Sequence, residues 1–126
     1  MRSVDASLLV GTLAGGPGAM AAEAFIRSEG PVWISQLVLT ETVLALESAF
    51  GRTRDQMAAA LEMILDNKDL VVEEPAVAKA ALARYREGLD FGDAMALEAA
   101  RHGGHLPMAT LREGLRGIPG AVVPGA

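Results

Sequence analysis

Two short runs of β-branched and aromatic residues, VWI at 32–34 and LVV at 70–72, are separated by residues 35–69, which carry helical rather than strand periodicity. Strands that far apart are not joined by a hairpin. A crossover of that length carries helices and brings the strands together in parallel. A brief extended start over Arg2–Val4, then LPMAT (106–110) and AVV (121–123) near the end, extends the pattern to five short strands. The alternation predicts an α/β chain with a short, mainly parallel sheet covered on both faces. In such sheets polar chemistry gathers beyond the carboxyl ends of the strands, where the strand order reverses.

Glycine, proline and capping residues divide the intervening chain into helices. ASLLVGTLA ends at GGPG, and a second helix runs from about Ala19 to Arg27 before Gly30 and Pro31. Ser35 caps a long helical stretch through Phe50, which Gly51 stops. Thr53 opens TRDQMAAALEMILDN, with Met57, Leu61, Ile64 and Leu65 at helical spacing. Pro75 sits in the first turn of PAVAKAALARYREG, where its missing donor is harmless, and Gly88 closes that helix. DFGDAMALEAARHGG forms the last one.

With 126 residues the chain reads as one domain, 1–126, large enough to bury a core without staples. The absence of cysteine excludes disulfides, thiolate metal sites and cysteine nucleophiles, and suits a reducing, cytoplasmic compartment. A net charge of -5 argues against a general nucleic-acid coat and leaves room for a local basic rim. Nine of the eleven basic residues are arginine, the type that grips phosphate with a bidentate fork, although codon bias yields the same excess. The apolar stretch Ala6–Ala14 is preceded by Asp5 and broken by Gly15–Gly18, which argues against a secretory signal, and no run reaches the roughly 18 residues of a membrane span.

The acids remain to be explained. Asp90 and Asp93 stand three apart at the start of the last helix; both fit the helix dipole, and Asp90 is a natural N-cap. Glu41 is flanked at helix spacing by Leu37, Val38, Leu44 and Ala45, so burial there would demand a partner or a cation. Glu47 has almost the same neighbours, and periodicity alone does not separate a functional Glu41 from a solvated one.

Order and spacing add what periodicity lacks. SVDASLLV, LVLTETVLALESAFG, RTRDQMAAALEMIL, YREGLDFGDAMALEAA and the closing LRGIPGAVV together resemble the PIN-domain family, particularly the small VapC-like toxins of toxin-antitoxin pairs. The resemblance implies a three-layer α/β/α sandwich, doubly wound, in which acids at the positions of Asp5, Glu41 and Asp93 hold magnesium or manganese and catalyse hydrolysis of RNA. Asp90 matches an additional acid of a DF-x-D subset, and Ser7 matches the small polar residue that orients the first acid, or else it caps the helix beside Asp5. Thr110 matches the threonine that precedes a fourth acid in many relatives, but the expected acid position is Arg112, with Glu113 one residue later. The departure leaves three alternatives: Glu113 substitutes as the acid, three acids hold a single metal, or activity is weakened; Arg112 is either a phosphate contact or an ordinary turn arginine. The resemblance further implies a cytoplasmic homodimer held inactive by a cognate antitoxin. Hard carboxylate donors without cysteine suit those same ions.

Two readings compete with the ribonuclease. A catalytically degenerate PIN domain that binds RNA or protein is motivated by Arg112. A phosphoacceptor receiver shares the sheet and the acid after the first strand, but LVVEE offers glutamates after its strand and no lysine follows LPMAT. GTLAGGPG lacks the lysine and serine or threonine of a phosphate loop. His102 and His105 read as helix-end caps, Arg52, Arg54, Arg84 and Arg86 as solvated charges or backbone contacts, and Trp33 and Phe91 as buried rings too isolated to stack bases.

Overall fold

The computed structural model describes residues 1–125. Backbone contacts divide the chain into two compact units, Met1–Pro75 and the remainder from Ala76.

The first unit is built on three parallel strands, β1 (Arg2–Ser3), β2 (Val32–Ile34) and β3 (Leu70–Val72), in the order β1-β2-β3. Helices α1 (Ala6–Ala14) and α2 (Ala19–Glu29) connect β1 to β2, and α3 (Gln36–Ser48) and α4 (Arg54–Asp66) connect β2 to β3. Ser3 pairs with Trp33 and Trp33 with Val71, so these three residues share one face of the sheet. Strand alternation sends Val32 and Ile34 to the other face, where both are fully buried. Trp33, one residue away from each, keeps 38% of its surface exposed. The expected burial of this ring is therefore corrected: the pleat turns it away from the packed side.

Local signals place the helices where the sequence puts them. Thr53 and Gln56 form a capping box at the start of α4, satisfying two backbone donors reciprocally. Gly51 turns the chain after α3 with φ +60, and the Arg52 N–H closes onto the Leu46 carbonyl. That closure ends α3 at Ser48, two residues before the expected Phe50.

The second unit contains α5 (Pro75–Arg86, beginning at the boundary), α6 (Phe91–Gly103), a 3-10 turn at Glu113–Leu115, and the parallel pair β4 (Met108–Ala109) and β5 (Ala121–Val122). Tyr85 and Phe91, both buried, meet edge to face with centroids 5.8 Å apart. Gly104, in the left-handed conformation, ends α6, and the His105 N–H bonds the Ala100 carbonyl in a Schellman closure. The His102 ring lies 2.9 Å from the Glu98 carbonyl, in keeping with the helix-end role read for it.

Among the described residues of this unit, Glu98 is the charged residue that is buried. It pairs with Arg101 at 2.8 Å and Arg84 at 3.8 Å, and Arg101 also donates to the Pro119 carbonyl at 2.8 Å. One carboxylate thus joins α5, α6 and the approach to β5. Arg84 belongs to this network and is not a freely solvated charge. Removing the carboxylate takes the shared partner from two partly exposed guanidinium groups and opens a gap in the packed interior. Glu98→Ala is expected to lower stability by about 3 kcal/mol, read as a lower denaturant midpoint with an unchanged slope.

Candidate functional site

In the first unit the carboxyl ends of all three parallel strands run into polar groups that serve helix N-termini. Asp5 follows β1 and caps α1: its Oδ1 accepts from the Leu8 N–H at 3.2 Å and from the Ser7 hydroxyl at 2.6 Å. Ser35 follows β2 and caps α3, accepting from the Val38 N–H at 3.0 Å. Glu73 follows β3, and its Oε1 accepts from the Gln36 N–H at 2.9 Å. The three therefore line the same edge of the sheet, the edge where parallel sheets place their chemistry.

The Ser7 hydroxyl, followed by the Leu8 N–H, holds the Asp5 carboxyl below the ordinary aspartate value, against a smaller opposing effect of desolvation. Asp5 is accordingly an anion at neutral pH, as a cation ligand must be. Ser7 takes both roles read for it, since its bond to Asp5 orients the acid and the pair opens the helix together.

Glu41 lies on the exposed side of α3. Its neighbours Leu37 and Leu44 are themselves 67% and 63% exposed, while Leu39, Thr42, Val43 and Leu46 face the interior. The inference that apolar neighbours enclose Glu41 is corrected on this point. A helix apolar nearly all round does not reveal which side faces inward, and here Glu41 meets solvent without a desolvation cost.

In the second unit, Asp90 caps α6 by accepting the Asp93 N–H at 3.0 Å. Asp93, whose side chain is 17% exposed, receives both the Nε and a terminal nitrogen of Arg112 on Oδ2, each at 3.2 Å. Thr110 Oγ1 accepts the Arg112 N–H at 2.9 Å, fixing the backbone from which that arginine reaches. Glu113 pairs with Arg116 at 3.3 Å. The residue at the expected fourth-acid position thus contributes a cation to the second acid's carboxylate. Among the described residues, neither unit by itself gathers three or more histidine or acidic side chains into a metal-holding group. The individual donors nonetheless fit a hard divalent ion: they are carboxylates, one is held ionised, and no softer ligand competes.

Residues 3–106 match the family described as PIN domain. The chain belongs to the PIN domain family. PIN domains are generally nucleases and typically use divalent metal ions, and the α/β class with its short parallel strands is that of the family. No curated protein matches this PIN domain's sequence. Among its described residues no single helix is long and apolar enough to cross a membrane; α1 and α2 meet that measure only as a pair bent by 115°.

Three contributors at this PIN domain's sites escaped the sequence reading. Glu73 caps a helix 37 residues earlier in the chain, a relation that only strand pairing creates. Trp33 lines a cavity with Asp5, although its neighbours in sequence suggested burial. The Arg112–Asp93 pair was hinted at only by the family's missing acid.

Two outcomes are expected. Ser7→Ala should raise the Asp5 pKa toward the ordinary value, followed by NMR titration of the carboxyl carbon. A folded-state pKa below the unfolded one adds stability above the unfolded value, about pH 3.9, that is lost as pH falls through the folded value; Ser7→Ala should therefore flatten the loss of stability below about pH 4. Arg112→Ala should lower stability by about 1 kcal/mol, because the arginine is largely exposed although the Asp93 carboxylate it leaves is mostly covered, while tightening manganese binding measured by calorimetry.

Proposed function

We propose that this PIN domain is a metal-dependent endoribonuclease that hydrolyses phosphodiester bonds in RNA, the toxin of a type II toxin-antitoxin pair. The observation that carries this reading is Asp5, held by the Ser7 hydroxyl and the Leu8 N–H at the carboxyl end of β1 in a chain of a nuclease family. Asp5, Glu41 and Asp93 would hold magnesium or manganese, with Asp90 as a supporting acid. When bound, such an ion polarises the phosphodiester and lowers the pKa of an attacking water.

The chain's own residues supply the remaining work. Ser7 keeps Asp5 charged and oriented, and Asp90 secures the helix start that presents Asp93. Thr110 anchors Arg112. Arg112 neutralises Asp93 while the ion is away, which offsets the cost of an unpaired carboxylate, and is then released to contact a substrate phosphate. Glu113 stands beside it as a further acid. The reading includes a homodimer, and a cysteine-free composition suits a cytoplasmic protein. A cognate antitoxin would cover the acids.

Purified protein should cleave single-stranded RNA with added manganese and lose that activity in EDTA. Asp5→Asn and Asp93→Asn should each lower the rate at least about a hundredfold, an effect of several kcal/mol on the barrier, with unchanged circular dichroism. Equal cleavage by both variants would mean a contaminating nuclease. Expression should arrest growth, and Asp5→Asn should relieve it; light scattering should report a dimer.

The Arg112–Asp93 pair favours a second reading, a PIN domain that binds RNA or protein without cutting. Manganese calorimetry separates the two: no saturable binding at millimolar metal supports the binding module. Arg112→Asp should raise cleavage if the missing fourth acid limits the site.

A further inference from the structure

Beside Asp5 lies a cavity of about 540 Å³, a size within the roughly 300–1,000 Å³ of small-ligand sites. Its walls combine two aromatic rings, Trp33 from β2 and Phe25 from α2, with the hydroxyls of Ser3, Ser7 and Ser35. All of these residues belong to the first unit. Trp33 is partly exposed and Phe25 half-buried, and no ring contact joins them, whereas Tyr85 and Phe91 do form such a contact within the fold. The exposed part of Trp33 belongs to the wall of this cavity, where a flat ligand can reach the ring.

The composition of the walls identifies the ligand class. Aromatic faces accept the flat face of any nucleobase, and short hydroxyls reach its polar edge. Ser35 spends an acceptor lone pair on the Val38 N–H and retains its O–H as a donor. Ser7 spends its O–H on Asp5 and retains acceptor capacity. A wall with free hydroxyl donors and acceptors, next to the acid proposed to work on a phosphodiester, is suited to the base attached to that phosphate.

We infer that this cavity is a nucleobase pocket, in which Trp33 stacks an unpaired base of the RNA next to the phosphodiester being cut. The inference rests on the ribonuclease reading and adds to it a contact for the base beside the cut, which lies against Trp33 when unstacked.

Trp33 is the sole tryptophan of the chain, so its fluorescence reports the pocket directly. Wild-type protein is titrated with a six-nucleotide single-stranded RNA in calcium buffer, and binding of a labelled copy is followed by anisotropy. Saturable quenching is expected with the hexanucleotide and much less with the same chain carrying abasic sites. Trp33→Ala should weaken binding about tenfold, in the range of one lost base stack, and Trp33→Phe should restore most of it. Anisotropy showing binding without quenching, with abasic RNA bound equally well, overturns the pocket and leaves the ribonuclease reading intact. Quenching without any cleavage in manganese keeps the pocket and overturns the ribonuclease. Neither binding nor cleavage overturns both. The abasic comparison uses wild-type protein, so it decides the matter even if Trp33→Ala fails to fold.

Discussion

Parallel pairing of very short strands governs the first unit. A strand of two or three residues offers too few ladder hydrogen bonds to define a sheet alone, and parallel neighbours require long crossovers. The helices in those crossovers therefore carry the packing, and their N-termini follow directly from the strand ends. Asp5 and Ser35 serve both purposes at once: each terminates a strand and caps the next helix. Glu73 adds a third group to this edge by reaching from the end of β3 to the start of α3. An edge rich in acceptors for helix N–H groups is also an edge of fixed, hydrogen-bonded carboxylates, which is the chemistry a divalent ion selects.

The second unit handles its charges differently. Glu98 is enclosed and matched by two partly exposed arginines, which offset the cost of burying its charge. Asp93, nearer the surface, is matched by one arginine that reaches from a turn and stays largely exposed. The first pairing holds elements together. The second is weak enough to exchange for another cation, because a surface guanidinium pair contributes little and reforms readily.

The resemblance to the family leads one to expect an acid where Arg112 stands. A fourth carboxylate would add repulsion among acids and call for the ion more strongly. Arg112 instead lets Asp93 stand charged without it. The arginine stays largely exposed while the carboxylate it meets is mostly covered.

Much of the fold was legible in the residues. Gly51, Thr53, Pro75 and Gly104 mark helix ends through local backbone chemistry, and VWI and LVV announce strands through side-chain shape. Asp5 and Asp90 were readable as caps, because a cap concerns only the next three residues. The side of α3 that faces inward was not legible, since an almost uniformly apolar helix carries no phase, and Glu41 consequently proved exposed. Nor was the fate of Trp33, which depends on which face of β2 the neighbouring strands turn away from the packed core. Glu73 reaching Gln36, Arg112 reaching Asp93 and Glu98 gathering Arg84 and Arg101 add the same lesson at the level of charge. What the sequence by itself determined is the set of elements and the chemical types of the site; what only the tertiary structure decided is which charges are matched and which rings stay open, because those follow from distances between residues far apart in the chain.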